Sequence, residues 1–255
     1  MRDLVKVQKC LKNSEVKNIH MKKAVCLLSG GLDSCVVATI AKKELGYDLY
    51  CLTVKYGQRH SKEIESAKIV ANKLGAKEHI ILDVDLGKLC KISSLIDKNK
   101  RLEERSMEEI GNSIPSTYVP ARNIIFLSLA LAYAENIGAD AIFIGANAVD
   151  WSGYPDCRPE FINAFKKVTE VGTKSGVEGK TIDIQTPIID LSKSEIIKKG
   201  IELGAPLELT WSCYEGGKKA CGKCDSCLLR LKGFKEAGYK DPIEYESLPD
   251  WYIRD

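Results

Sequence analysis

From Lys22 onward, short apolar runs rich in β-branched residues alternate with segments of helical periodicity, and few folds accept that alternation. Strands are expected at Ala24–Leu28, Asp48–Lys55, Glu78–Val84, Ala141–Gly145 and Thr181–Gln185. Helices are expected from the Ser29–Ser34 turn through Leu45, and at His60–Leu74, Ile124–Asn136, Arg158–Val171 and Ser192–Leu203. Gly46, Gly75, Gly138 and Gly204 each stand just past a helical run, where a left-handed residue closes the last turn. Apolar strands that alternate with amphipathic helices imply a parallel sheet covered on both faces, an α/β fold. In such a sheet, ligands bind at the carboxyl ends of the strands, so the loops after Leu28, Lys55, Gly145 and Gln185 should converge on one site. Gly87–Gly111 is polar and reads as an insertion over that site. The expected organisation is an extension at 1–21, an α/β domain at 22–206 and a small C-terminal module at 207–255.

Charge narrows the choice of partner. Arg2, Lys6, Lys9, Lys12 and Lys17 against Asp3 and Glu15 account for the whole formal net charge of +3, which leaves the body neutral. A neutral body is a poor match for gripping nucleic acid through its phosphates, so a small-molecule partner is expected. The longest near-continuous apolar stretch, Ile124–Ala134, includes Ser128 and falls short of the ~20 residues that a membrane span requires. The leading segment has no apolar core or small-residue cleavage site of a secretory signal. Of the ten cysteines, Cys213, Cys221, Cys224 and Cys227 cluster, while the rest are scattered, several on apolar segments. Without an export signal, a reducing cytoplasm is the expected compartment, and there a cysteine cluster reads as a metal site.

Two motifs carry chemistry. Ser29-Gly30-Gly31-Leu32-Asp33-Ser34 stands between a strand and a helix. Two glycines leave backbone N–H groups bare at a helix N-terminus, which makes a cradle for phosphate. Ser29 and Ser34 add hydroxyl donors, and Asp33 could cap the helix or hold Mg²⁺. Taken on spacing alone, the segment also reads as an ordinary βα turn. The second motif, Cys213-x7-Cys221-x2-Cys224-x2-Cys227, offers four thiolates to a closed tetrahedral Zn²⁺ site. An iron–sulfur reading is disfavoured, because the ferredoxin pattern requires a further Cys-Pro where Leu231-Lys232 stands.

Ser-Gly-Gly-x-Asp-Ser after the first strand resembles the signature of the PP-loop ATP pyrophosphatases. Further stretches narrow the resemblance: Tyr56–His60, Tyr118–Asn123, Ile144–Asp150, Ser152–Phe161, Thr210–Glu215 and Cys221–Cys227. Together these are similar to the 7-cyano-7-deazaguanine synthase family of queuosine and archaeosine biosynthesis, from about Lys22 to Asp241. Ala121 departs from the family's usual Gly between Pro120 and Arg122 and narrows the allowed backbone there.

The resemblance implies an adenine-nucleotide alpha-hydrolase-like, Rossmann-type sheet with a C-terminal four-cysteine zinc module. It implies a cytoplasmic enzyme that converts 7-carboxy-7-deazaguanine and ammonia to the nitrile at the expense of ATP, as a homodimer with no direct nucleic-acid or membrane partner. It makes Leu28, Ser29, Gly30, Gly31, Leu32, Asp33, Ser34, Cys35, Val36, Val37 and Ala38 the nucleotide segment. Ser29, Asp33 and Ser34 belong to the reaction, joined by Lys193 as the phosphate-neutralising lysine of a late helix. Arg122 and Arg158 suit phosphate or the substrate carboxylate. Asn123, Asn147, Asp150 and Asp156 suit the polar edge of the base, and Tyr118, Tyr154 and Phe161 suit stacking on it. His60 is a candidate base that could equally begin a helix. A PP-loop enzyme that thiolates tRNA is the alternative reading.

Overall fold

The computed structural model describes residues 21–90, 92–97, 99–103, 105, 109–110, 114–149 and 154–253. The leading segment and Asp150 therefore lie outside the described residues.

Five parallel strands form one sheet: β1 Lys23–Leu27, β2 Asp48–Lys55, β3 Glu78–Asp83, β4 Ala141–Phe143 and β5 Asp183–Gln185, in the order β3-β2-β1-β4-β5. Side chains alternate across it with the period of two that a pleat imposes. Ala24, Cys26, Ala141 and Phe143 join one apolar cluster, whereas Val25, Leu27, Ile142 and Ile144 join the other. The first face is covered by helices Leu32–Thr39 (α1) and Lys62–Lys73 (α2), and the second by Arg122–Ile137 (α3) and Pro159–Gly172 (α4). Past the short helix Lys174–Val177 (α5), helix Lys193–Glu202 (α6) returns to the first face through Ile196 and Ile197. Among the described residues no helix is long and apolar enough to cross a membrane.

Where element bounds differ from expectation, the causes are local. The first helix ends at Thr39 and widens into a π-helical turn over Ile40–Glu44. Strand β4 stops at Phe143, because the chain leaves the ladder to form the site loops. Helix α6 starts on a capping box in which the Ser192 hydroxyl and the Glu195 carboxylate satisfy each other's backbone N–H.

The largest difference lies in the C-terminal region, which reads as turn-rich yet contains a thirteen-residue helix, Asp225–Ala237 (α7), followed by the short Asp250–Ile253 (α8). Helix α7 packs along α6, and its Phe234 and Ala237 enter the core cluster on the first face. Arg230 on the same helix is 2% exposed and fully engaged. Its Nε and Nη2 donate to the Asp241 carboxylate at 2.7 and 3.0 Å, its Nη1 to Thr210 Oγ1 at 2.7 Å, and Nη2 also to the Leu207 carbonyl at 3.2 Å. This bidentate pair anchors the following tail to the main body.

Ala121 precedes α3 with φ 56° and ψ 18°, the one left-handed non-glycine backbone among the described residues. Alanine in that region costs about 1 kcal/mol through its Cβ. Ala121→Gly should therefore raise unfolding stability by about 1 kcal/mol in a denaturant titration. An unchanged midpoint would show that the loop is not strained.

Candidate active site and metal centre

The loop between β1 and α1 is built from backbone. Gly31 precedes α1 in extended conformation, and no side chain caps the helix, so its first amides are left for a ligand. The hydroxyls brace the turn from within. Ser34 Oγ donates to the Gly31 carbonyl at 3.0 Å, Gly31 N–H donates to Ser29 Oγ at 3.2 Å, and the two hydroxyl oxygens lie 3.0 Å apart. Gly30 has φ +89°, and a Cβ there would fall 2.0 Å from the Glu63 carbonyl oxygen of α2. Only glycine fits that approach.

Lys193, at the start of α6, is 8% exposed, and its Nζ donates to both Asp33 carboxylate oxygens at 2.7 and 2.8 Å. Its aliphatic stem is held by α7, where a Cβ at Gly233 would lie 2.3 Å from Lys193 Cγ. Three helices thus meet at one lysine beside the phosphate loop.

These groups open onto a cavity of about 260 Å³. Of the expected nucleotide residues, Leu28, Ser29, Gly31, Leu32, Asp33, Ser34 and Lys193 line it. Cys35, Val36, Val37 and Ala38 do not; they are buried in the core behind the loop. Arg122, Asn123, Asn147 and Tyr154 line it as well, with the Arg122 guanidinium 5.8 Å from the centre of the Tyr56 ring and the Asn147 amide donating to the Ile188 and Leu191 carbonyls at 3.0 and 2.6 Å.

Four other candidates lie outside the lining. Asp156 is buried against α3, where its carboxylate accepts the Asn123 backbone N–H at 3.1 Å and its carbonyl accepts the Asn123 side-chain amide at 3.1 Å. It therefore fixes the start of α3, and with it Arg122 and Asn123. Tyr118 lies behind Tyr154, ring centroids 5.7 Å apart, Phe161 packs on Phe165, and Arg158 is exposed at the start of α4.

Other lining residues come from segments quoted for their resemblance but given no role: Tyr56, Gln58, Trp211, Ser212 and Tyr214. Ser226, from the quoted Cys221–Cys227 stretch, also contributes, as do Glu63 and Arg230, which nothing local in the sequence distinguishes. Burial lifts the Glu63 carboxyl to about 7, opposed by the Arg122 charge and assisted by the Cys213 thiol. His60 is not in the lining; its Nε2 lies 3.0 Å from the Cys213 carbonyl oxygen, and burial lowers its pKa.

The sulfur atoms of Cys213, Cys221, Cys224 and Cys227 all lie within 4.8 Å of one another. Cys221 and Cys227 are 3.9 Å apart, close to the ~3.8 Å edge of a tetrahedron with 2.3 Å metal–sulfur bonds. Backbone N–H groups of Glu215 and Cys221 point to Cys213 Sγ, and those of Lys223 and Cys224 to Cys221 Sγ, at 3.3–3.4 Å. Such donors favour thiolates, so the donor set fits a bound metal. The scattered cysteines differ: burial pushes Cys35 and Cys51 up to about 12, which makes them packing thiols. The metal loop is wired to the cavity, because the Cys213 carbonyl accepts from Trp211 Nε1 at 2.9 Å and Trp211 N–H donates to the Gly30 carbonyl at 2.9 Å.

The family profile of the queuosine biosynthesis protein QueC matches residues 23–238. Among curated relatives, the 7-cyano-7-deazaguanine synthase of Acetivibrio thermocellus is 58% identical over 226 residues, 88% of this chain and 98% of that protein. That of Desulfitobacterium hafniense is 56% identical over 231 residues, 90% of this chain and 96% of that protein. The archaeal enzyme of Thermoplasma acidophilum is 54% identical over 234 residues, 92% and 96% of the two chains.

Two outcomes are expected. Gly233→Ala should displace the Lys193 stem and cost about 1–3 kcal/mol of stability, read by thermal or denaturant melting; a melt identical to wild type would show that the helices yield freely. Replacing any one of the four clustered cysteines by Ser should lose the metal in elemental analysis, whereas Cys90→Ala should keep it. Retention of a full metal complement in a Cys227→Ser protein would remove that residue from the site.

Proposed function

This chain belongs to the QueC family of queuosine biosynthesis proteins, and we propose that its cavity converts 7-carboxy-7-deazaguanine, ammonia and ATP to 7-cyano-7-deazaguanine. The observation that carries the reading is the uncapped helix N-terminus of the Ser29–Ser34 loop, opening onto the same cavity as Lys193 and Arg122. A carboxylate is a poor electrophile, because its charge repels the nucleophile and its oxygen leaves badly. Transfer of adenylate to that oxygen releases pyrophosphate and turns it into a leaving group that ammonia can displace. A second adenylylation of the amide oxygen allows its loss as the nitrile forms.

The chain's own groups serve these steps through position and charge. The loop amides and the Ser29 and Ser34 hydroxyls hold the departing pyrophosphate. Lys193, held by Asp33, brings its positive charge to the same anion. Arg122 receives the substrate carboxylate or the α-phosphate, and Tyr154, Tyr56 and Trp211 give the flat base its apolar contacts. Magnesium would accompany the nucleotide as its counter-ion, and Asp33, whose two oxygens both accept from Lys193, would reach it only by sharing one of them. Zinc is the metal suited to four thiolates, and it would lend the Cys213–Cys227 loop its folding free energy with no coordination position open for chemistry. The thiolating alternative asks for a reactive cysteine pair at the phosphate loop, and Cys35 is buried at 0% exposure behind it. A cytoplasmic homodimer belongs to the same reading and is checked by sedimentation.

Incubation of the purified protein with ATP, ammonium and the carboxylate should yield nitrile, AMP and pyrophosphate, with mass spectrometry as the readout. Ser34→Ala should slow the reaction about 10²-fold while costing only ~1 kcal/mol of stability. Unimpaired turnover in that variant would mean that the loop is an ordinary turn.

A further inference from the structure

Amide formation and its dehydration to the nitrile both require a proton acceptor beside the substrate nitrogen. When ammonia attacks the acyl adenylate, its lone pair forms the C–N bond and the C–O bond to AMP breaks, with the electron pair leaving on the phosphate oxygen. One N–H proton must then depart. In the nitrile step, one N–H proton is lost as the adenylylated amide becomes the imidate, and another as the C–O bond breaks.

The cavity offers few groups for this work. Among the described residues that line it there is no histidine, and Asp33 and Glu63 are its two carboxylates. Asp33 has both oxygens engaged by Lys193. Burial raises the Tyr56 phenol to about 12 and the Cys157 thiol to about 11, so neither ionises near neutrality. Asp156 and His60 face other partners, outside the lining. Glu63 is different. It projects from the first turn of α2, half-buried, and no described residue hydrogen-bonds to its carboxylate. Its own main chain abuts Gly30, so it stands beside the phosphate loop. Arg122 faces it from α3 and Cys213 from the metal loop.

We propose that the Glu63 carboxylate is the general base that takes the protons lost from the substrate nitrogen in both amide and nitrile formation. It passes each proton to solvent between steps and plays no part in the transfer of adenylate. A carboxylate in the cavity wall that accepts no hydrogen bond from the described residues can take a proton from a bound ligand and pass it on. This inference rests on the reaction proposed above and assigns that reaction a residue.

The two half-reactions separate the possibilities. Exchange of labelled pyrophosphate into ATP, dependent on 7-carboxy-7-deazaguanine and run without ammonium, reads adenylylation alone; mass detection of amide and nitrile reads nitrogen transfer. Glu63→Gln should keep exchange within about threefold of wild type and lose amide formation by about 10²-fold or more. Glu63→Asp should recover part of the rate. Equal losses in exchange and amide formation would assign Glu63 to substrate binding and overturn the proposal, as would an undiminished amide rate. Should Glu63→Gln fail to melt cooperatively, the Asp variant decides, and amide formation must fall further than exchange. A wild-type protein that forms neither amide nor nitrile would overturn the underlying reaction itself, a result distinct from every variant outcome.

Discussion

A lysine ammonium at 8% exposure is tolerable only when its charge is matched, and Asp33 matches that of Lys193 at 2.7 Å. Desolvation of such a pair costs several kcal/mol per ion, offset by the mutual attraction only when the geometry is good. Here the geometry comes from three directions. Asp33 is set by the phosphate loop, Lys193 by the capping box that starts α6, and the lysine stem by the close passage of α7 at Gly233. The pair therefore transmits the position of the C-terminal helix to the phosphate loop. Much of the cavity wall depends on the same contact, because Ser226, Leu229 and Arg230 are carried on α7.

The architecture was legible because its signals are periodic or local. Alternation of strand and helix, glycines that close helices, and the spacing of four cysteines each follow from one segment's own chemistry. The Asp225–Ala237 helix was harder to read, since Asp225, Ser226 and Gly233 weaken its intrinsic propensity and tertiary packing on α6 supplies the stability instead. The cavity was legible in part. Ser29–Ser34, Arg122, Asn147 and Lys193 stand at strand ends or helix starts, where the fold rule directs attention. Glu63 and Arg230 reach the cavity only through the crossing of helices from distant parts of the chain. Asp156, a plausible reader of a base, turns inward to Asn123, because the start of α3 needs an acceptor more than the cavity does.

The metal centre is not an isolated clip. The Cys213 carbonyl is shared by Trp211 Nε1 and the His60 ring, and the Trp211 backbone is tied to Gly30. The lysine side chain of Lys62 sits 3.9 Å over the Trp211 ring and covers the same junction from α2. Order in the thiolate loop and order in the phosphate loop are therefore linked through two or three short contacts. A closed coordination sphere fits such a purpose, since an open position would invite exchange and loosen the link.

The distribution of cavity residues along the chain has a bearing on how the protein is made. The Ser29–Ser34 turn is complete by residue 34, yet Trp211, Ser212, Tyr214 and Arg230 form part of the cavity wall and emerge from the ribosome last. Domains fold from the N-terminus as they are synthesised, so β1 to β5 can assemble while the cavity is still open on that side. A nascent chain would thus expose an anion cradle without the walls that orient a substrate. Chain order thus leaves the cavity incomplete until the C-terminal residues of its wall are in place.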